Sequence, residues 1–155
     1  MPVEFEVTRQ TKAPLSKATD FYLHPENLPK IHPGYVKEVK MMKTDGGAIT
    51  LEQQMEFMGM KMKAVNRMVW NNSEHKFETS TIEGDGKGSK ITIALKEVPS
   101  GTEVRYAAQI EPGFFPIGFL ETGSIIRRPE VFFERVSQIF EKVADEDKAA
   151  LDALT

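Results

Sequence analysis

Between Tyr35 and Glu111 the sequence alternates apolar and polar residues in six successive segments, each closed by a turn signal and none interrupted by a helical period. Tyr35 to Lys43 leads into Asp45-Gly46-Gly47, a hairpin signal because both glycines tolerate positive φ. The next segment puts Ile49, Leu51, Gln53, Met55 and Phe57 on one face. Gly59 marks a tight turn or bulge, after which Met60, Met62, Ala64, Asn66, Met68 and Trp70 share a face. Asn71-Asn72-Ser73 turns the chain again; Phe77, Thr79 and Thr81 form a weaker strand, and Gly84 to Gly88 a further turn. Ile91, Ile93 and Leu95 follow, then Pro99-Ser100-Gly101 and the face Val104, Tyr106, Ala108 and Ile110. Six hairpin-linked strands make an antiparallel sheet with one apolar face, and that face needs a cover.

The cover is legible at the C-terminal end. On a helical wheel Phe132, Val136, Ile139, Phe140 and Val143 form one stripe, with Glu130, Glu134, Ser137 and Glu141 opposite. The same period reaches back through Ile125 and Gly118, which predicts a helical segment from near Pro116 spanning roughly 40 Å. Pro129 predicts a kink or a break within it. At the other end Val3, Phe5 and Val7 read as a first strand. Pro14 opens a short helix through Leu15, Ala18, Phe21 and Tyr22, and Pro25 stops it. Three prolines from Pro25 to Pro33 leave room for at most a short second helix around Leu28 and Ile31. The long stripe fits a helix that completes a core and equally one that encloses a ligand.

A chain of 155 residues suits one domain spanning 1–155. With 40% hydrophobic residues and a net charge of −3, it shows no basic face, so nucleic acid is not an expected partner. No apolar run is long enough for a transmembrane helix, and MPVEFEVTRQ reads as a strand rather than a signal peptide, so a cytoplasmic monomer is expected. The absence of cysteine excludes disulfides, thiolate metal sites and cysteine nucleophiles. His24, His32 and His75 fall in a bend and a turn without the i, i+4 spacing of a zinc helix. They read as surface loop residues whose replacement by alanine leaves fold and ligand affinity nearly unchanged. Gly84 to Lys90 is a hairpin turn followed by a strand, not a phosphate loop leading into a helix. No serine sits in a nucleophile elbow. Neither metal, cofactor nor catalytic residue is therefore expected.

Seven of the eight methionines lie between Met41 and Met68, and Met55, Met60, Met62 and Met68 share the inner face. Flexible thioethers suit a surface that adapts to a ligand, and they equally fill gaps in a curved core. Gln53 and Asn66 on that face favour a cavity, because a dry core has to pair both amides at a cost of about 1 to 3 kcal/mol for each failure. Pro112-Gly113-Phe114-Phe115-Pro116-Ile117-Gly118-Phe119 holds too many rings for an exposed connection, and reads as a lid at a cavity mouth or an anchor of the helix.

The element order, Ala13-Pro14 opening the first helix, the proline-rich His24 to Tyr35 bend, Gly101-Thr102-Glu103-Val104 opening the last strand, and the helix after Pro112-Gly113 together resemble the START-like superfamily. This superfamily is also called SRPBCC or Bet v 1-like, and includes polyketide cyclase and dehydrase relatives. The resemblance implies an α+β fold in which a curved antiparallel sheet of about seven strands wraps a long C-terminal helix, leaving a cavity for an apolar ligand. It brings no shared catalytic motif. The expected lining is Gln53, Met55, Phe57, Met60, Met62, Asn66, Met68, Trp70, Ile93, Tyr106, Phe114, Phe115, Phe132, Val136 and Phe140. The expected function is binding or carrying a small hydrophobic ligand such as a lipid, quinone or polyketide-like molecule. The rival is a cyclase- or dehydrase-like enzyme, which needs Gln53, Asn66, Glu56, Arg67 or His32 directed at its substrate. A protein-interaction module without a ligand is a third class.

Overall fold

Alternation along the first 110 residues is realised as strands. The computed structural model describes residues 3–57, 59–111 and 129–154. In order these form β1 (Val3–Thr11), α1 (Leu15–Tyr22), a 3-10 turn (Pro25–Asn27), α2 (Leu28–Ile31), β2 (Val36–Asp45), β3 (Ala48–Phe57), β4 (Met60–Asn71), β5 (Lys76–Gly84), β6 (Lys90–Val98), β7 (Gly101–Ile110) and α3 (Pro129–Asp152). The seven strands make one antiparallel sheet in the order β1-β7-β6-β5-β4-β3-β2. The meander from β2 to β7 is as expected, and β1 adds beside β7 in a register from Val3 opposite Ile110 to Thr11 opposite Thr102.

Register shifts bend the sheet between Val36 and Glu38 and between Met41 and Lys43 of β2, and again between Val65 and Asn66 of β4. An extra residue on one strand increases local twist, so these shifts curl the inner face around α3. Gly101 ties the two ends of the chain's β region together. Its φ is +145°, and a Cβ there would lie 2.1 Å from the Thr11 carbonyl oxygen, so no other residue lets β7 start so close to the end of β1. Next to it the fully buried Thr102 donates from Oγ1 to the Ala13 carbonyl at 2.8 Å. Asp152, at the end of α3, accepts from Thr11 Oγ1 at 2.7 Å and from the Lys12 amide at 2.8 Å.

The apolar residues divide into two clusters. One gathers Val7, Ala18, Tyr22, Met68, Phe77, Leu95, Val104, Tyr106, Ala144 and Leu151. The second joins Met62 and Val136 to Phe5, Tyr35, Met55, Ile139 and Phe140. Phe77 and Leu151 are among the largest side chains removed from water, each worth about 1.5 to 3 kcal/mol of burial. The stripe of α3 runs on past Ala144 through Asp147 to Leu151, beyond the expected segment. Pro129 suits the first turn where α3 is described to begin. The expected extension towards Pro116 lies outside the described residues.

Candidate functional site

A cavity of about 240 Å³ lies where the sheet, the α1–α2 bend and α3 face one another. Its walls are mainly apolar: Phe21, Leu28 and Ile31 from the bend, Leu51, Met55, Met68, Ile91 and Ile93 from the sheet, and Ile139, Phe140 and Val143 from α3. It is somewhat smaller than most ligand sites, which run from roughly 300 Å³ upwards.

Four polar side chains of the lining, His32, Asp147, Tyr22 and Tyr106, meet at one end, with Glu146 behind His32. The bend is wound around His32, whose amide donates to the Leu28 carbonyl at 2.8 Å while its own carbonyl accepts from Tyr35 and Val36. The side chain is thereby turned inwards, and only 2% of the residue is exposed. His32 Nε2 lies 2.8 Å from Asp147 Oδ1, and Nδ1 lies 3.2 Å from Glu146 Oε1. Carboxylates only accept, so both ring nitrogens need hydrogens and the geometry is that of an imidazolium. Burial alone pulls the His32 pKa down; the bond and charge of Asp147, followed by those of Glu146, outweigh it and hold the pKa above its usual value. Asp147 Oδ2 in turn accepts from Tyr106 at 2.8 Å and from Tyr22 at 3.1 Å, and the two hydroxyls also contact each other. Burial and the neighbouring Asp147 charge push both phenols well above the usual tyrosine range, so both keep their hydrogens.

A second polar group lies on β3, β4 and β5. Asn66 donates from Nδ2 to Gln53 Oε1 at 3.1 Å, and Thr81 donates to Asn66 Oδ1 at 2.8 Å. Part of the amide pairing that a dry core demands is thus met between the amides themselves.

Of the expected lining residues, Gln53, Met55, Asn66, Met68, Ile93, Tyr106 and Phe140 border the cavity. Three do not. Trp70 lies against Phe77, ring centres 4.2 Å apart, in the first packed cluster; Met62 and Val136 are sealed into the second. Phe114 and Phe115, and the side chains of Phe57, Met60 and Phe132, fall outside what is described. The reading of His32 as a surface loop residue is overturned: a position in a bend says nothing about which way the side chain points. Glu56 and Arg67, considered for an enzyme, are not among the lining residues. Tyr22 and Asp147 were missed, although a carboxylate on the apolar face of an amphipathic helix was a legible sign of a buried polar contact. Among the described residues no group of three His, Asp or Glu side chains is placed to hold a metal.

No protein-family model and no curated protein matches this sequence. Solved structures do. A START superfamily protein from Mycobacterium smegmatis superposes with a TM-score of 0.73 at 17% identity, covering 99% of each chain. The Zhui aromatase/cyclase from a Streptomyces species superposes with a TM-score of 0.71 at 13% identity, over 99% of this chain and 92% of that one. Ginseng major latex-like protein 151 from Panax ginseng gives 0.66 at 12% identity, over 96% and 97%. Identities this low establish fold and nothing finer. The chain therefore has the START-like, Bet v 1-like helix-grip fold. No helix among the described residues is long and apolar enough to cross a membrane.

Proposed function

We propose that this chain binds and carries a small hydrophobic molecule in the cavity between the sheet and α3. The observation that carries this reading is the cavity itself: sheet and helix pack tightly in two separate clusters and leave a mainly apolar space next to them. A core built only for stability closes such a gap, since every unfilled volume sacrifices contacts. Native mass spectrometry of the purified protein, followed by organic extraction, tests the reading. The expected result is a non-covalent adduct lost on denaturation. A bare mass, together with no thermal stabilisation by any hydrophobic probe, refutes it.

One observation favours a second reading, an enzyme of the cyclase or dehydrase sort acting on a hydrophobic substrate. His32, Asp147, Tyr22 and Tyr106 are titratable groups converging on an apolar cavity, the arrangement acid–base catalysis uses. The similar Streptomyces protein is an aromatase/cyclase.

A further inference from the structure

The two polar ends of the cavity differ in what they have left to offer, and their hydrogens can be counted. At the first end five contacts join the side chains: His32 to Glu146, His32 to Asp147, Tyr22 to Asp147, Tyr106 to Asp147, and Tyr22 to Tyr106. A doubly protonated His32 brings two hydrogens and the two phenols one each, so four hydrogens serve five contacts. Protonating Asp147 adds a fifth, which the fifth contact absorbs. No hydrogen is spare in either state. What this end presents to the cavity is lone pairs, on phenol and carboxylate oxygens, with two carboxylates around one imidazolium.

The wall formed by β3, β4 and β5 has the opposite balance. Asn66 spends one amide hydrogen on Gln53, and Thr81 spends its hydroxyl on Asn66. The second Asn66 hydrogen and both Gln53 hydrogens have no acceptor among the described residues. The two groups are well separated on the inner face. Tyr106 stands in the row Tyr106, Ile93, Phe77, Trp70, and Asn66 stands opposite Thr81 on β4, three strands from β7 in the sheet order. Between them runs the row Ile91, Thr79, Met68, in which two of the three side chains are apolar.

We propose that the cavity selects an apolar molecule carrying a hydrogen-bond donor, a hydroxyl or amine, at the end facing Tyr22, Tyr106 and Asp147, and an acceptor such as a carbonyl oxygen at the end facing Gln53 and Asn66. This rests on the ligand-binding reading above and gives it a polarity. A carboxylate or carbonyl at the first end meets only lone pairs and is rejected. A hydroxyl there supplies the missing hydrogen, while a carbonyl at the far wall receives the unused amide hydrogens. Discrimination of this kind is strong because the losing ligand leaves a buried polar group unpaired.

Calorimetric titration with three matched probes tests it: 2-acetyl-6-hydroxynaphthalene, its 6-fluoro analogue, which keeps the size but not the donor, and 2-ethyl-6-hydroxynaphthalene, which keeps the donor but not the carbonyl. The hydroxy ketone is expected to bind at least about tenfold more tightly than either analogue, the loss expected for one unpaired buried group. In Gln53→Met the advantage over the ethyl compound should shrink while the advantage over the fluoro compound persists. Equal affinity for hydroxyl and fluorine, or an undiminished ketone preference in Gln53→Met, overturns the assignment while leaving a binding cavity. Silence from all three probes overturns this inference, and the binding reading falls with it only where native mass spectrometry also finds a bare mass and no hydrophobic probe stabilises the protein.

Discussion

Asp147 carries more of the buried polar cluster than any other residue, so Asp147→Ala should be far more damaging than its size suggests. Its carboxylate accepts from His32, Tyr22 and Tyr106, and only 3% of the residue is exposed. After truncation the two phenols can still pair with each other and His32 can still reach Glu146. One phenol hydrogen and His32 Nε2–H are then left without a side-chain acceptor among the described residues. Two orphaned donors at about 1 to 3 kcal/mol each agree with the roughly 3 to 5 kcal/mol expected on breaking a buried charge pair. For a chain of this length that corresponds to a melting temperature lowered by roughly 6 to 20 °C. The matched control is two residues away: Asp145 pairs with Arg9 at 2.6 Å, but 61% of its side chain is exposed. Asp145→Ala should cost no more than about 1 kcal/mol. Urea unfolding followed by fluorescence of Trp70, the only tryptophan, reads both variants against the same slope. If the two variants unfold at the same midpoint, the cluster is not the buried, internally paired unit described here.

Three further outcomes are expected. Because the His32 pKa is raised in the folded state, its contribution is complete below the unfolded value near 6.5 and is lost as pH rises through the folded value, so the stability gap between the protein and His32→Gln should narrow from pH 6 to pH 9; a widening gap contradicts the paired imidazolium. Asp152 is held below the usual carboxylate range, first by its bond from Lys148 and then by those from Thr11 and the Lys12 amide. Its contribution should be present above about pH 4 and lost in acid, and an Asp152→Asn variant with unchanged acid sensitivity in urea melts contradicts that. Gly101→Ala should cost at least about 2 kcal/mol, since the added methyl meets the backbone of Thr11 and Lys12, and an unchanged thermal midpoint would show that the strand junction can yield.

The sheet and its cover were legible because each depends on a local period. Alternation such as Val104, Tyr106, Ala108 and Ile110 is set by the pleat, and the stripe from Val136 to Val143 by the helical turn. The polar cluster has no such signature. His32 and Asp147 are brought together by the bend and α3, at 115 positions' separation, and each looks ordinary alone. Tyr22 reads only as an apolar position of the first helix and Tyr106 only as one lining residue among many; nothing local marks that their hydroxyls meet at Asp147. Trp70 was assigned to the correct face but the wrong neighbours, since facing inwards does not distinguish the packed end of the sheet from the cavity. The aromatic stretch from Phe114 to Phe119 lies outside the described residues, so its expected lid or anchor role is not among the features of the site.

The pairing of β1 with β7 sets an order of events for a chain emerging from a ribosome. Thr11 pairs with Thr102, so the first strand is synthesised roughly 90 residues before its partner. At about 5 to 20 residues per second, it waits for at least several seconds with Phe5 and Val7 unpaired. Its alternate positions are Glu4, Glu6, Thr8 and Gln10, a polar edge that discourages association with neighbouring nascent chains during that interval. β2 to β6 can assemble hairpin by hairpin in the meantime, so the last long-range event is the arrival of β7 and α3, which together close β1 onto the sheet and complete the cavity end where Tyr106 and Asp147 sit.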